Sequence, residues 1–276
     1  MAKVFLVLGT ALVVLGLIGG LVYTLLFMEE ETPPTVPAQS QQVQQPQSSQ
    51  SQPEINVRKE VESDADLQES LDAATSANHD TVGWLKINGT EINNSVVQAH
   101  DNTYYLRRNE RKQESTYGCY YVDFECSVGA REEMSPNTII YGHSDLTDNP
   151  DGPKFSQLFK FTDTVFAESH PVIQFSTLED FMYWEIFSVM YTDLEFNFID
   201  PTPNGGIKKF AQTAMDKSLY DYGVTVEDDD KVLVLSTCTI KFGKDDRNHR
   251  FVIMAKLLPE DAQIPKKANI TVKNQE

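Results

Sequence analysis

Three side chains in this sequence could together carry acyl-transfer chemistry: a thiol, a guanidinium and an imidazole. Cys238 ends the apolar run Val232-Leu233-Val234-Leu235-Ser236-Thr237-Cys238, and Arg250 opens the next, Phe251-Val252-Ile253-Met254-Ala255-Lys256-Leu257, after a polar loop. If the two runs pair as an antiparallel hairpin, Cys238 and Arg250 face each other near its loop end, where directly opposed Cβ atoms lie about 4.5–5.5 Å apart. A guanidinium beside a thiol favours the thiolate, which is the nucleophile. The same guanidinium can stabilise a developing oxyanion or hold a substrate carbonyl. Covalent cysteine chemistry also needs a proton carrier within hydrogen-bond reach, and that group can be distant in sequence. His143 closes another apolar run, Ile139-Ile140-Tyr141-Gly142-His143, and fits that part.

Other residues compete for these roles. Arg247 lies inside the polar loop 241–249, where a solvated role is the default, whereas Arg250 directly abuts the apolar run. His249 has only its proximity to Arg250 in its favour. His79, His100 and His170 sit among polar residues with no reactive partner in view. Cys119, among aromatics, reads as a packed thiol, and Cys126 lies in or near a loop. A Cys119–Cys126 disulfide stays open, although a straight strand would hold the two too far apart. The acidic run Glu227-Asp228-Asp229-Asp230 reads as a solvated face, because a calcium site needs oxygen ligands converging from a shaped loop. Asp145 and Asp148 read as loop polar groups. No metal site and no cofactor are expected.

The elements around these residues are mostly strands. From Thr81 onward, short β-branched and aromatic runs alternate with turn residues: Gly83-Trp84-Leu85-Lys86-Ile87, Ser95-Val96-Val97-Gln98, Gly118-Cys119-Tyr120-Tyr121-Val122, Thr138-Ile139-Ile140-Tyr141 and Pro171-Val172-Ile173-Gln174-Phe175. Residues 181–191, 231–237 and 251–257 continue the series. About eight strands at this spacing point to a closed barrel or a sandwich. Two helices are predicted. One covers 60–77, where Leu67, Leu71 and Ala74 recur at helical spacing. The other covers 207–219, with Phe210 and Met215, inserted between two late strands.

Composition sets the outer limits. The chain has 276 residues, 40% of them hydrophobic, which is enough for a real core. Its formal net charge of −18 argues against a nucleic-acid partner, which would require a clustered basic excess. Three cysteines cannot make a disulfide scaffold. Residues 4–28 are almost continuously apolar and uncharged, and about 20 such residues cross a bilayer core as a helix. Lys3 precedes the run and Glu29, Glu30 and Glu31 follow it, so the N-terminus is predicted inside and the rest outside. A cleaved signal peptide would have a shorter apolar region and a small-x-small site directly after it, which is missing. The predicted organisation is an N-terminal transmembrane anchor over 1–28, a flexible Pro/Gln/Ser-rich linker over 29–59, a catalytic domain over 60–260 and a loose tail over 261–276.

Leu235-Ser236-Thr237-Cys238 resembles the T-L-x-T-C signature of sortases, with Val234 in place of the first threonine. Tyr141-Gly142-His143 and the arginine before an apolar strand fit the same family. Asp80-Thr81-Val82-Gly83-Trp84-Leu85-Lys86-Ile87, Val96-Val97-Gln98, Asp101-Asn102-Thr103-Tyr104-Tyr105-Leu106 and Lys154-Phe155-Ser156-Gln157-Leu158 resemble class B sortases in particular. The helical insertion before the cysteine strand is also similar to class B. Class B members usually follow the histidine with Asn-Met; here Ser144-Asp145 stands there. The resemblance covers residues 67–258.

The resemblance implies a mainly β fold: a closed eight-stranded sortase-type barrel with an N-terminal helix and a helix inserted before the cysteine strand. It implies a membrane-anchored cysteine transpeptidase that cleaves a C-terminal sorting signal of a secreted protein after threonine. Cys238 would form a thioester, His143 would act as general acid and then base, and Arg250 would hold the carbonyl or the oxyanion. Asn102, Leu106, Tyr141 and Ser236 would neighbour the substrate groove, with Phe198 and Ile199 beside them. The amine acceptor would be a peptidoglycan precursor or, in pilus-building members, a pilin lysine. A hydrolytic cysteine peptidase is the alternative chemistry, and an anchored surface protein with an inert Cys238 is the non-catalytic alternative.

Overall fold

The structure is a computed structural model, and it describes residues 64–273. The apolar run 4–28 and the linker 29–59 lie outside the described residues. Among the described residues no helix is long and apolar enough to cross a membrane.

The chain opens with helix α1, Asp64–Ala77, whose apolar stripe buries Leu67 and Leu71 and half-buries Ala74. Eight strands then build a closed barrel: β1 (Thr81–Lys86), β2 (Asn93–Val97), β3 (Tyr120–Val122), β4 (Asn137–Tyr141), β5 (Val172–Thr177), β6 (Tyr183–Asp193), β8 (Val232–Cys238) and β9 (His249–Leu257). Their order around the barrel is β1-β2-β3-β4-β8-β9-β6-β5, closed by the β1–β5 pair. Closure leaves no sheet edge, which chooses the barrel over the sandwich.

Two of the pairings, β2–β3 and β4–β8, are parallel. A parallel pair cannot be joined by a tight hairpin, so each needs a long crossover. The β2–β3 crossover is a 22-residue loop, 98–119. The β4–β8 crossover carries most of the remaining structure. It holds the 3-10 segment Lys154–Thr162, helix α2 (Thr164–Ser169), β5, β6, helix α3 (Ile207–Lys217) and the short β7 (Tyr220–Asp221).

Local packing explains several sequence features. In β1 the side chains alternate buried and half-buried, as a strand with one face on the core requires. Gly83 sits where β5 crosses closest: a Cβ there would lie 2.5 Å from the Ser176 carbonyl and 2.7 Å from the Phe175 ring. β8 is buried on both faces up to Thr237, because the 3-10 segment packs on β8 and β9. Phe155, Leu158, Phe159 and Phe161 of that segment are buried, and the Phe159 ring meets Phe251 of β9 at 4.8 Å. Each such side chain stabilises the fold by about 1.5–3 kcal/mol. Helix α3 lies against β6, where the Ser188 hydroxyl donates to the Ala214 carbonyl at 2.8 Å.

The segment after Leu258, expected to be loose, is tied down over its described part. Strand β10 (Thr271–Val272) pairs with β7, Lys267 meets Glu168 at 2.9 Å, and the Lys273 ammonium donates to the Met215 carbonyl at 2.8 Å. Proline, lysine and asparagine gave no apolar pattern there. The tail is held by main-chain and ammonium contacts and by Ala268 and Ile270, which pack on the core but are too few to show a pattern.

Candidate active site

β8 and β9 form the expected antiparallel hairpin, and the register pairs Cys238 directly with Arg250. Cys238 is the exposed end of an otherwise buried strand. β4 runs parallel on the other side of β8, with Tyr141 opposite Ser236. Continuing that register brings His143 level with Cys238, and three hydrogen bonds hold it there. The Gly142 amide donates to the Ser236 carbonyl at 3.3 Å, the Thr237 hydroxyl donates to the Gly142 carbonyl at 2.8 Å, and the Ser144 hydroxyl donates to the Cys238 carbonyl at 2.8 Å. The thiol strand is thus flanked by the histidine on β4's side and the arginine on β9's side.

Gly142 must be glycine. A Cβ there would lie 2.6 Å from the Phe155 ring, and Phe155 is the residue whose amide donates to the His143 carbonyl at 2.9 Å.

The imidazole of His143 is half-buried, and its Nε2 lies 2.8 Å from the Leu106 carbonyl. A carbonyl oxygen only accepts, so Nε2 carries a proton and Nδ1 is the nitrogen free to exchange one. Burial holds the imidazole pKa below its usual value, and the Arg107 charge lowers it further against the opposing Leu106 hydrogen bond. The guanidinium of Arg250 donates to the carbonyls of Arg247 and His249 at 2.9 and 2.8 Å. Neither group is hydrogen-bonded to the Cys238 sulfur among the described residues.

The remaining thiols are of a different kind. Cys119 and Cys126 are free and buried, and burial pushes both up to about 12. The competing groups are also accounted for. His249 is stacked on Phe242 at 4.0 Å and bound to Asp246 at 2.6 Å, which makes it a loop strut. Arg247 is exposed and meets Arg250 through its carbonyl.

The expected groove residues divide. Asn102 and Tyr141 meet at one carboxylate, Asp123: the Asn102 amide donates to Oδ2 at 2.8 Å and the Tyr141 hydroxyl donates to it at 2.7 Å. The Asn102 carbonyl also accepts from the Phe124 amide at 3.0 Å. Both ends of the Asn102 side chain are therefore engaged within the fold. Leu106 belongs to a small apolar cluster outside the main core, with Val97, Tyr105, Cys119, Tyr121 and Tyr141. Ser236 is buried in β8, two residues before the thiol. Phe198 and Ile199 are not brought to these residues. Phe198 is buried, and its carbonyl accepts from Asn137 at 3.0 Å, at the far end of β4 from Tyr141. Four residues of strand span about 13 Å. The next residue, Ile199, is exposed.

Four contributors left no sequence signal. Tyr121 pairs with Tyr141 across β3 and β4, with the two rings 5.3 Å apart. Asp123 is the hub just described. Ser144 clamps the Cys238 carbonyl. Asp148 accepts from the Thr239 hydroxyl at 2.6 Å and from the Ile240 amide at 3.0 and 3.1 Å, immediately after the thiol. Each of these contacts joins residues far apart in sequence, and a polar loop residue looks the same whether or not it makes one.

Similarity to known proteins agrees with this geometry. A family model described as a Sortase domain matches residues 85–258. Sortase B of Listeria monocytogenes is 31% identical over 195 residues, covering 70% of this chain and 76% of the relative. Sortase B of Staphylococcus aureus is 28% identical over 183 residues, covering 66% and 71%. The solved structure of a Staphylococcus aureus sortase B–substrate complex superposes with a TM-score of 0.61 at 25% identity, covering 71% of this chain and 87% of that one. A Bacillus anthracis protein described as similar to sortase B gives 0.58 at 32% identity, covering 68% and 82%.

Proposed function

The chain belongs to the sortase family, with class B relatives, and on that premise we propose that it acts as a membrane-anchored cysteine transpeptidase on secreted proteins. Sortases are transpeptidases; the anchor, the thioester and the substrates are the parts proposed here. The observation that carries the reading is the Cys238–Arg250 register pair with the His143 loop bonded to the same strand end. The exposure of Cys238, against two buried thiols, favours a reactive over an inert cysteine.

In this reading the Cys238 thiol passes its proton to Nδ1 of His143 as its sulfur attacks the carbonyl carbon after threonine in a C-terminal sorting signal. The developing oxyanion forms on the β9 flank, within reach of the Arg250 guanidinium once it leaves the loop carbonyls. The carbon–nitrogen bond breaks, and the leaving amine takes its proton from His143. The resulting thioester is attacked by an incoming amine, which gives its proton to His143 as the carbon–sulfur bond breaks and the thiolate departs. Covalent catalysis divides one hard amide exchange into two easier steps. No metal or cofactor enters any of them.

The acceptor is an amine of a cell-wall precursor; a pilin lysine is the competing acceptor. The apolar run 4–28, with its lysine before and glutamates after, supports a single-pass anchor with the catalytic domain outside. That a Staphylococcus aureus sortase B was solved as a substrate complex supports a substrate-binding role for this fold. The test is mass spectrometry of the protein incubated with candidate sorting peptides. An adduct on Cys238 with the mass of the peptide up to threonine supports the reading, and its absence with every peptide, while the thiol still alkylates, overturns it.

A further inference from the structure

Residues Arg107-Arg108-Asn109-Glu110-Arg111-Lys112 place four cations and one anion in six consecutive positions of a chain whose net charge is −18. They lie on the β2–β3 crossover and begin immediately after Leu106, whose carbonyl holds His143. The loop has a built conformation. Arg108 and Glu114 form a β-bridge, the Asn109 side-chain oxygen accepts from the amides of Arg111 and Gln113 at 3.0 Å each, and Lys112 takes a left-handed φ of 62°.

The cations are not equivalent. Lys112 is neutralised by Asp80 at 3.0 Å. Among the described residues the three arginines have no carboxylate partner. Arg107 donates to the Thr116 carbonyl, and Arg108 donates to the Tyr104 carbonyl at 2.8 Å while lying 4.5 Å over the Tyr104 ring. Arg111 is exposed. Arg107, Arg108, Glu114, Ser115 and Thr116 line an open depression of about 380 Å³, large enough for a phosphate group or a carboxylate with its neighbours. One carboxylate there stands against two guanidiniums and two hydroxyls.

Placement decides what such a site could serve. β8 lies between β4 and β9, so the histidine and the arginine flank the thiol from opposite sides. The acyl oxygen belongs on the Arg250 flank. The incoming amine must reach Nδ1 of His143, and the basic loop begins at the residue bonded to Nε2 of the same ring, so it borders the histidine rather than the Arg250 flank.

We propose that the depression lined by Arg107, Arg108, Ser115 and Thr116, with Arg111 beside it on the loop, is an anion subsite for the amine acceptor, taking a phosphate or carboxylate that the acceptor carries. The inference rests on the acyl-transfer reading above. Guanidiniums suit such groups because their planar fork offers paired, charge-assisted hydrogen bonds. An anion bound beside Arg107 also offsets the charge that disfavours imidazolium at His143, so acceptor binding and proton uptake support each other.

The test uses the full-length protein, a sorting-signal peptide as donor, and two matched acceptor pairs: triglycine against triglycinamide, and phosphoethanolamine against ethanolamine. Aminolysis product is measured for each. The expected result is a preference of about tenfold or more for an anionic acceptor over its neutral partner. The preference shrinks as salt rises, and the ratio falls toward one in Arg108→Gln/Arg111→Gln. The pair with the larger ratio tells carboxylate from phosphate. A wild-type ratio near one, or an unchanged ratio in the double variant, overturns the proposal. So does a preference that follows acidic residues in the donor peptide instead. A second arm titrates inorganic pyrophosphate and follows the arginine Nε–H and Ser115 amide signals by NMR. Unmoved signals overturn the subsite whether or not acyl transfer occurs. Failure of every donor to acylate Cys238 would instead count against the acyl-transfer reading.

Discussion

The Ser144 hydroxyl donates to the main-chain carbonyl of Cys238 at 2.8 Å, tying the residue after the histidine to the residue that carries the thiol. Asp148 extends the same clamp to Thr239 and Ile240. The loop that follows β4 therefore holds the chain on which the Cys238 thiol sits. The position after the histidine is filled by a serine that makes a main-chain contact.

Asp148 adopts a left-handed φ of 52°, a conformation aspartate tolerates better than most side chains. Its carboxylate accepts from the Ile240 amide and the buried Thr239 hydroxyl. Asp148→Ala leaves both donors without that partner and should destabilise the protein by about 1–3 kcal/mol. It should also loosen the turn after Cys238, while Asp148→Asn, which keeps one oxygen, should lose less. Chemical unfolding and hydrogen exchange at the Ile240 amide check this. Wild-type protection of that amide in the alanine variant would refute the clamp.

Cys238 should be the thiol that a charged alkylating reagent modifies in the folded protein, because Cys119 and Cys126 are buried and held protonated. Cys238→Ala should lose both labelling and turnover, by on the order of 10⁵ if it is the nucleophile. Cys119→Ala should keep both. Peptide mapping after alkylation reads the first outcome and a fluorogenic sorting peptide the second. Turnover surviving in Cys238→Ala would move the nucleophile elsewhere.

Arg250 and Arg247 offer a paired comparison. Arg250 stands across from the thiol, whereas Arg247 is exposed in the loop and contributes its carbonyl. Deleting one oxyanion donor costs about 10²–10³ in rate. Arg250→Ala should fall by that amount, mainly in kcat, and Arg247→Ala by only a few-fold. Kinetics on one peptide decide it, and the reverse order would reassign the role.

His143 should titrate below the usual histidine value of about 6.5, chiefly because it is buried. The sign for stability follows. Between the lowered native value and 6.5 the unfolded chain binds the proton that the native state refuses. The His143 contribution is therefore intact above pH 6.5 and is lost as pH falls through that window. Arg107→Gln should move the His143 value upward, though burial keeps it below 6.5. NMR titration of the imidazole measures both, and a downward move in the variant would contradict the placement of Arg107.

The strand content was legible in the sequence because β-branched and aromatic runs broken by turns carry a local signal. Helix α3 was legible too, since its apolar residues recur at helical spacing. Cys238, His143 and Arg250 could be chosen because each stands at a boundary between an apolar run and a polar loop. In the β8–β9 hairpin the register pairs Cys238 with Arg250. The order of strands around the barrel was not legible. The parallel β2–β3 and β4–β8 pairings depend on long crossovers, and nothing local marks which strands they bring together. Phe198 read as a groove residue and packs at the far end of β4 instead, because an aromatic in a loop looks the same whichever surface it covers. The roles of Ser144, Asp148, Asp123 and Tyr121 exist only once distant segments meet. Sequence patterns record where a residue sits relative to water along its own strand. Which hydroxyl, carboxylate or phenol it then faces is set by closure of the barrel.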